Sequence, residues 1–255
     1  MVISLTARAL VDYRRLSALF VAGTCAIACA AFAQTQQPPS FEAQVEARTI
    51  ALTNEYRAQQ SLAALTPESR LTDAARAFAA YIAQTDKLDH DADGTTPPER
   101  LKKRGYSFCM VAENLASEFD TRGFTVEALS RRFVKGWSES ATHRANMLEA
   151  DVTEIGVGVE RNPRSGEYYA VQVFARPTSQ VVKFRVANRT NATIRYEFRK
   201  RSVALAPKQS RTHESCAGGD VNLDSSGTAV PLRPKDGGRY AVVQEKGGIY
   251  RWAEE

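Results

Sequence analysis

Between Phe41 and Trp137 the apolar positions recur at helical spacing. Phe41, Val45, Leu52 and Tyr56 predict one helix, and Leu71, Ala74, Ala75, Phe78, Ala79 and Ile82 fit the face of an amphipathic second one. A short third helix is marked by its ends. In "TTPPERLKKRG", Thr96 is placed as N-cap, Pro97 at the first helical position, Glu99 in a capping box and Gly105 past the last turn. Val126, Leu129, Phe133 and Trp137 form the stripe of a fourth helix over about Thr125 to Trp137. The period then drops to two. Ile155, Val157 and Val159 alternate with glycines, Tyr169, Val171 and Val173 share a face, and "RNPRSGE" supplies a hairpin turn. Helices outside an antiparallel sheet predict an α+β fold, an α-β-α sandwich. After Pro177 the helical pattern is absent. Strand-like runs at "VKFRVAN", "TIRYEFR" and "YAVVQEKGGIYRW" predict a small all-β domain, with "NRTNA" as a turn and a closing hairpin around Gly247 and Gly248. Its expected inner face is Val182, Phe184, Val186, Ile194, Tyr196, Phe198, Val242 and Trp252.

The two ends of the chain change this picture in different ways. Arg8, Arg14 and Arg15 precede an uncharged run from Leu16 to Ala33 that closes on Ala31-Phe32-Ala33, the pattern of a secretory signal cleaved after Ala33. An uncleaved membrane anchor is the second reading, since the run is close to the spanning minimum of about 18 residues. The expected organisation is therefore a signal at 1–33, a polar proline-containing linker at 34–40, the sandwich at 41–177 and the β-domain at 180–255. This places the protein outside the cytoplasm, secreted or periplasmic. Cleavage leaves Cys109 and Cys216, an even count in an oxidising compartment; a disulfide and two buried thiols both stay open. At the other end, residues 180–255 carry 14 Lys/Arg against 8 Asp/Glu, so the net charge of +5 is concentrated there. That surplus suits contact with an anionic surface or scattered solvated charge on strands. It lacks aromatic interleaving or a recognised module, which argues against nucleic acid.

Histidine is scarce, with three in 255 residues. His90 lies in "KLDHDADG", His143 in "WSESATHRANML", and His213 in the β-domain. Glu113 sits among apolar neighbours in "VAENLA", where an ionised carboxylate needs a partner. Two imidazoles and a carboxylate are ligands of the kind that hold zinc with one position open. Their spacing along the chain supports no such site by itself. Ser140 is expected to N-cap a short helix with its hydroxyl accepting from Thr142 or His143 N–H. Trp137 is expected in the core, with Met147 and Leu148 packing inward; Arg144 and Asn146 are expected to hold the loop through backbone carbonyls or to pair with Glu113 or Glu154. A relay of Ser140, His143 and Glu113 has the membership of a hydrolytic triad. However, a serine and a histidine three apart on one helix rarely meet, and no G-x-S-x-G elbow exists.

The blocks "TNEYR", "LTDAARAFAAYIAQ", "DH", "PPERLKKRGY", "ENLA", "WSESATHRANML", "TEIGVGV" and "AVQVF", in this order over residues 45–176, resemble the CAP superfamily in its bacterial form. This superfamily comprises cysteine-rich secretory, antigen 5 and pathogenesis-related 1 proteins. The resemblance implies an α-β-α sandwich with a cleft lined by two histidines and two glutamates that binds divalent metal in some members. His90 matches the first histidine of that set and Glu113 the glutamate, here preceded by Ala112 where the family has glycine. Ser140 stands where the second glutamate is expected. The histidine of the eukaryotic G-H-Y-T-Q motif is missing, with Tyr168 or Tyr169 near its place before Gln172, and His143 comes from the bacterial W-x-x-S-x-x-H-R-x-N block.

The resemblance thus implies a cleft of His90, Glu113 and His143, with Ser140, Asn114 and Gln172 around it, that binds a lipid, a cell-envelope component or a divalent metal such as zinc without performing chemistry. Two alternatives are a metal-assisted hydrolase using His90, Glu113 and His143, and a surface or host interaction protein acting through the basic β-domain.

Overall fold

The computed structural model describes residues 38–224 and 230–255. The expected signal at 1–33 and most of the 34–40 linker lie outside these residues. Among the described residues no helix is long and apolar enough to cross a membrane.

Helix α1 (Phe41–Gln59) starts at Ser40, whose side chain accepts from Ala43 N. Its buried face differs from the apolar stripe in the sequence. Phe41 and Tyr56 are only partly buried, whereas Val45, Glu46, Thr49, Leu52, Thr53 and Arg57 are buried. Helix α2 (Ser69–Thr85) buries all six residues of its predicted stripe. Helix α3 (Pro97–Lys103) opens on the expected capping arrangement, in which the Glu99 carboxylate accepts from the backbone N–H and the hydroxyl of Thr96. Helix α4 (Val126–Glu139) is capped by Thr125, and α5 (Ala141–Met147) follows after a single residue.

A four-stranded sheet runs between these helices in the order β1 (Thr66–Pro67), β3 (Glu154–Arg161), β4 (Tyr168–Pro177), β2 (Phe108–Glu118). β2, β4 and β3 are antiparallel, and β1 adds a short parallel edge. The strand β2 carries the "ENLA" block and has no clear alternation in the sequence. Both faces of the sheet are covered. Tyr169, Val171, Val173 and Ala175 of β4 pack against α2 and α3, while Ala170 and Phe174 join Ile155, Val157 and Val159 against α1 and α4.

The glycines of "TEIGVGVE" are explained by this layering. A Cβ on Gly156 would stand 2.3 Å from Thr72 N and one on Gly158 2.2 Å from Arg76 N, so the α2 backbone lies directly on these two positions. Glycine is required where two backbones approach so closely.

A 3-10 turn (Thr178–Gln180) leads into the C-terminal strands β5 (Val182–Asn188), β6 (Ile194–Phe198), β7 (Arg201–Leu205), β8 (Ser210–Ser215), β9 (Val221–Leu223), β10 (Arg239–Gln244) and β11 (Tyr250–Glu254). They form two sheets, ordered β11-β10-β5-β8 and β7-β6-β9, around a core of their own. Phe184, Val186, Ile194, Tyr196, Phe198 and Val242 are buried there as the alternation predicts, with Val182 and Trp252 half-buried at its margin. "NRTNA" does not make a hairpin. It carries the chain from one sheet to the other, since β5 and β6 belong to different sheets. The β10–β11 hairpin does turn at Gly247 and Gly248, both with positive φ. A disulfide between Cys109 and Cys216, and an ion pair of Arg199 with Asp151 at 2.7 Å, tie these sheets to the sandwich.

Candidate functional site

Strand β2 is the edge of the central sheet, so groups from both helical layers meet around it. Alternation sends Glu113 to the α3 side, in register with Val173, and Asn114 to the opposite side, in register with Gln172.

On the first side the Glu113 carboxylate is almost completely buried, with 2% of its side chain exposed. A buried carboxylate requires compensation. Arg100 supplies it from α3: Nη2 donates to Oε2 at 2.8 Å and to Oε1 at 3.0 Å. Arg100 is buried as well. It donates to the carbonyls of Thr95 (2.6 Å) and His90 (3.0 Å) and to Asp93 (3.1 Å), and its guanidinium lies 3.5 Å from the Phe78 ring centroid. The remaining contact of Glu113 is with His90, whose Nδ1 lies 2.8 Å from Oε1. The His90 side chain is 50% exposed, so the ring bridges the buried carboxylate and water. The Glu113 hydrogen bond raises the His90 pKa above its ordinary value, outweighing the opposing effect of burial.

On the second side Asn114 and Gln172, expected on the cleft wall, have no solvent exposure. They form an internal chain instead. Asn146 donates to Asn114 Oδ1 (2.9 Å), Asn114 donates to Gln172 Oε1 (3.0 Å), and Gln172 donates to Thr53 Oγ1 (2.9 Å). Asn114 also donates to the His143 carbonyl at 3.1 Å, and Asn146 to the Glu113 carbonyl at 3.2 Å. Asn114 therefore holds the α5 backbone and Gln172 holds Asn114, both without solvent exposure. Burial satisfies their amides in pairs, as an interior requires.

Helix α5 carries His143, partly exposed, with a pKa lowered by burial and further by the charge of His90. Ser140 joins α4 to α5, but its hydroxyl makes no capping bond. Its carbonyl accepts from Arg144 N at 2.8 Å and its N–H donates to Gly136 O at 3.2 Å. These are the ordinary first bond of α5 and last bond of α4, so the expected side-chain cap is not formed. Trp137 is buried with its indole N–H donating to Leu115 O, Met147 is fully buried and Leu148 half-buried. Arg144 holds the Ser138 carbonyl at 2.9 Å.

The structure thus brings His90 and Glu113 into direct contact and places His143 within reach of the His90 charge, while Glu113 itself is closed off from water. The donor set does not suit a divalent cation. Both oxygens of the one carboxylate are taken by a fixed guanidinium, whose charge opposes a metal ion. Among the described residues no three His, Cys, Asp or Glu side chains are placed to hold one. No bond joins Ser140 to His143 among the described residues, so the triad arrangement has no geometric support.

Two arginines that organise the site lie in the family-like blocks "PPERLKKRGY" and "TNEYR" but were not singled out in the sequence. Arg100 was legible only through the demand of Glu113 for a cation. Arg57, in the "TNEYR" block, is buried and donates to the carbonyls of Ala63, Met147 and Glu149, which fixes the end of α5 and hence the His143 helix.

Residues 50–174 match the model of the cysteine-rich secretory protein family, CAP. Among curated proteins, the chain is 30% identical over 125 residues to YkwD of Bacillus subtilis and 28% identical over 102 residues to an uncharacterized protein of Borreliella burgdorferi. These matches cover 49% and 40% of this chain, and 46% and 60% of the relatives' own lengths. Solved structures similar to it include an outer surface protein from Borrelia burgdorferi (TM-score 0.47, 21% identity, 56% of this chain and 98% of that one). Another is an extracellular SCP-domain protein from Bacillus anthracis (TM-score 0.45, 24% identity, 55% of this chain and 45% of that one). Residues 50–174 of this chain therefore form a domain of the cysteine-rich secretory protein (CAP) family.

Proposed function

We propose that the protein is an exported CAP-domain binding protein whose cleft presents His90 and His143 to a ligand from the cell envelope and performs no chemistry on it. The observation that carries this reading is the anchoring of a half-exposed imidazole on a buried, arginine-neutralised carboxylate. Glu113 holds His90 Nδ1 and leaves Nε2 toward solvent. The raised pKa keeps that ring cationic to higher pH, as suits an N–H donor for acceptor oxygens of a ligand. Glu113 itself is poorly placed as a general base, since its oxygens are turned to Arg100 and His90. The signal-like N-terminal pattern and the disulfide support export.

Native mass spectrometry of the purified protein tests the reading, together with metal analysis of the same sample and of H90A/H143A. The expected result is a co-purifying lipid or envelope fragment, reduced in the variant, and negligible metal in both. Stoichiometric zinc that disappears in H90A/H143A would overturn it in favour of metal-assisted hydrolysis.

A further inference from the structure

The two C-terminal sheets end, at one side of their sandwich, in the edge strands β7 and β8. Among the described residues β7 pairs only with β6 and β8 only with β5. The register decides which of their side chains face the space between the sheets. Ser215, His213 and Arg211 of β8 stand opposite Val182, Phe184 and Val186, and Arg201 of β7 stands opposite Phe198. Directly opposed residues share a face, and Phe184, Val186 and Phe198 belong to the core. Arg201, Arg211 and His213 therefore occupy inward-facing positions at which the alternation calls for apolar side chains.

A cavity of about 580 Å³ opens between them, lined also by Ser202, Thr212 and Ser215. Arg199 on its rim is committed to Asp151 and to the carbonyls of Ala217 and Gly218. Arg201 and Arg211 make no ion pair among the described residues. The one carboxylate lining the cavity, Glu214, belongs to the outward-facing set of β8, with Lys183 at 3.9 Å. His213 is fixed at the floor: Nε2 lies 2.7 Å from the Tyr196 hydroxyl and the ring stacks on Phe184.

We propose that this mouth binds a phosphate group, held between the guanidiniums of Arg201 and Arg211 with the hydroxyl of Ser215, on the same inward-facing set of β8, as a further donor. A phosphate dianion or monoester carries about −1.5 to −2 at pH 7, which matches two uncompensated guanidiniums where a single carboxylate would not. Inward-pointing charge also protects a sheet edge from pairing with another chain. That role needs no ligand, and it is what the test separates. The site is independent of the cleft around His90.

His213 lies close enough to report occupancy, since burial and then the charge of Arg211 lower its pKa. Its ring resonance, assigned with H213N, is followed while inorganic phosphate replaces chloride at constant ionic strength. The expected result is a saturable shift with an upward move of the His213 titration. R201Q and R211Q should each weaken binding roughly tenfold, the loss of one charge-assisted bond. R195Q, which removes an exposed charge from the outer face of β6, should leave it unchanged. Phosphatidylglycerol vesicles, with phosphatidylcholine as control, distinguish the source. Retention abolished by R201Q or R211Q assigns the phosphate to a lipid headgroup; a phosphate response without retention assigns it to a soluble phosphate compound. No response of His213, or one that R201Q and R211Q leave intact, would overturn the proposal and leave edge protection as the role of these arginines.

Discussion

Replacing Arg100 by methionine tests the electrostatic account of the site most severely. Arg100 makes five donor contacts: two to Glu113, and one each to Asp93, Thr95 O and His90 O. Only 8% of its side chain and 2% of that of Glu113 are exposed, so solvent screens the pair little. Removing one member of a buried pair leaves the other charge uncompensated, at a cost of about 3 to 5 kcal/mol. Glu113 would keep only His90, which is half in water. R100M should therefore lose about 3 to 5 kcal/mol in urea unfolding at neutral pH, followed by the fluorescence of the buried Trp137. The double variant R100M/E113L should be more stable than R100M alone, because the charge that needed compensation is gone. An R100M loss under about 1 kcal/mol, the range of an exposed ion pair, would refute the reasoning. So would a double variant less stable than R100M.

Other consequences are open to equally direct tests. G158A places a Cβ 2.2 Å from Arg76 N and 2.3 Å from Ala75 C, backbone atoms that cannot yield. It should cost about 3 kcal/mol, the upper end for overpacking, in the same urea assay. The Cys109–Cys216 bond closes a loop with a sequence separation of 107, so C109S/C216S should lower stability by up to about 4.7 kcal/mol on chain entropy, read as a drop in the unfolding midpoint. The raised pKa of His90 stabilises the fold below the unfolded value of about 6.5 and ceases to do so as pH rises through the folded value. H90N should therefore destabilise the protein in mild acid and be nearly silent in alkali. His143 has the opposite sign. Its lowered pKa costs stability as pH falls below about 6.5, so H143Q should make the protein more resistant to acid.

Much of the layering was legible in the sequence, because a 3.6-residue period and a two-residue period survive wherever one face meets water. The α2 stripe and the β5 and β6 alternation are such cases. Strand β2 was not legible: it lies at the sheet edge with both faces half covered, so neither period shows in "FCMVAENLASE". The buried face of α1 was misread because Thr53 and Arg57 bury polar groups whose partners, the Gln172 amide and the Met147 carbonyl, are remote in sequence. His90 and Glu113 were found by scarcity and by resemblance, and the contact between them follows from the fold. Asn114 follows Glu113 directly in the chain yet lies on the opposite face of β2, where it meets Gln172, since one step along a strand reverses the side chain. Arg100 and Arg57 carried no signal except the unmet polar demand they answer. For Glu113 that demand shows in its apolar neighbours; for the carbonyls that Arg57 serves it shows only once burial is known.

The central claim is that a buried, arginine-held Glu113 fixes the half-exposed His90 ring and keeps it cationic to higher pH. An NMR pH titration of the His90 and His143 rings, in the native protein and in E113Q, measures this directly. The account predicts that His90 titrates above about 6.5 and His143 below it, and that E113Q brings the His90 value down. A His90 ring that titrates at or below the ordinary value, or that ignores E113Q, would contradict it.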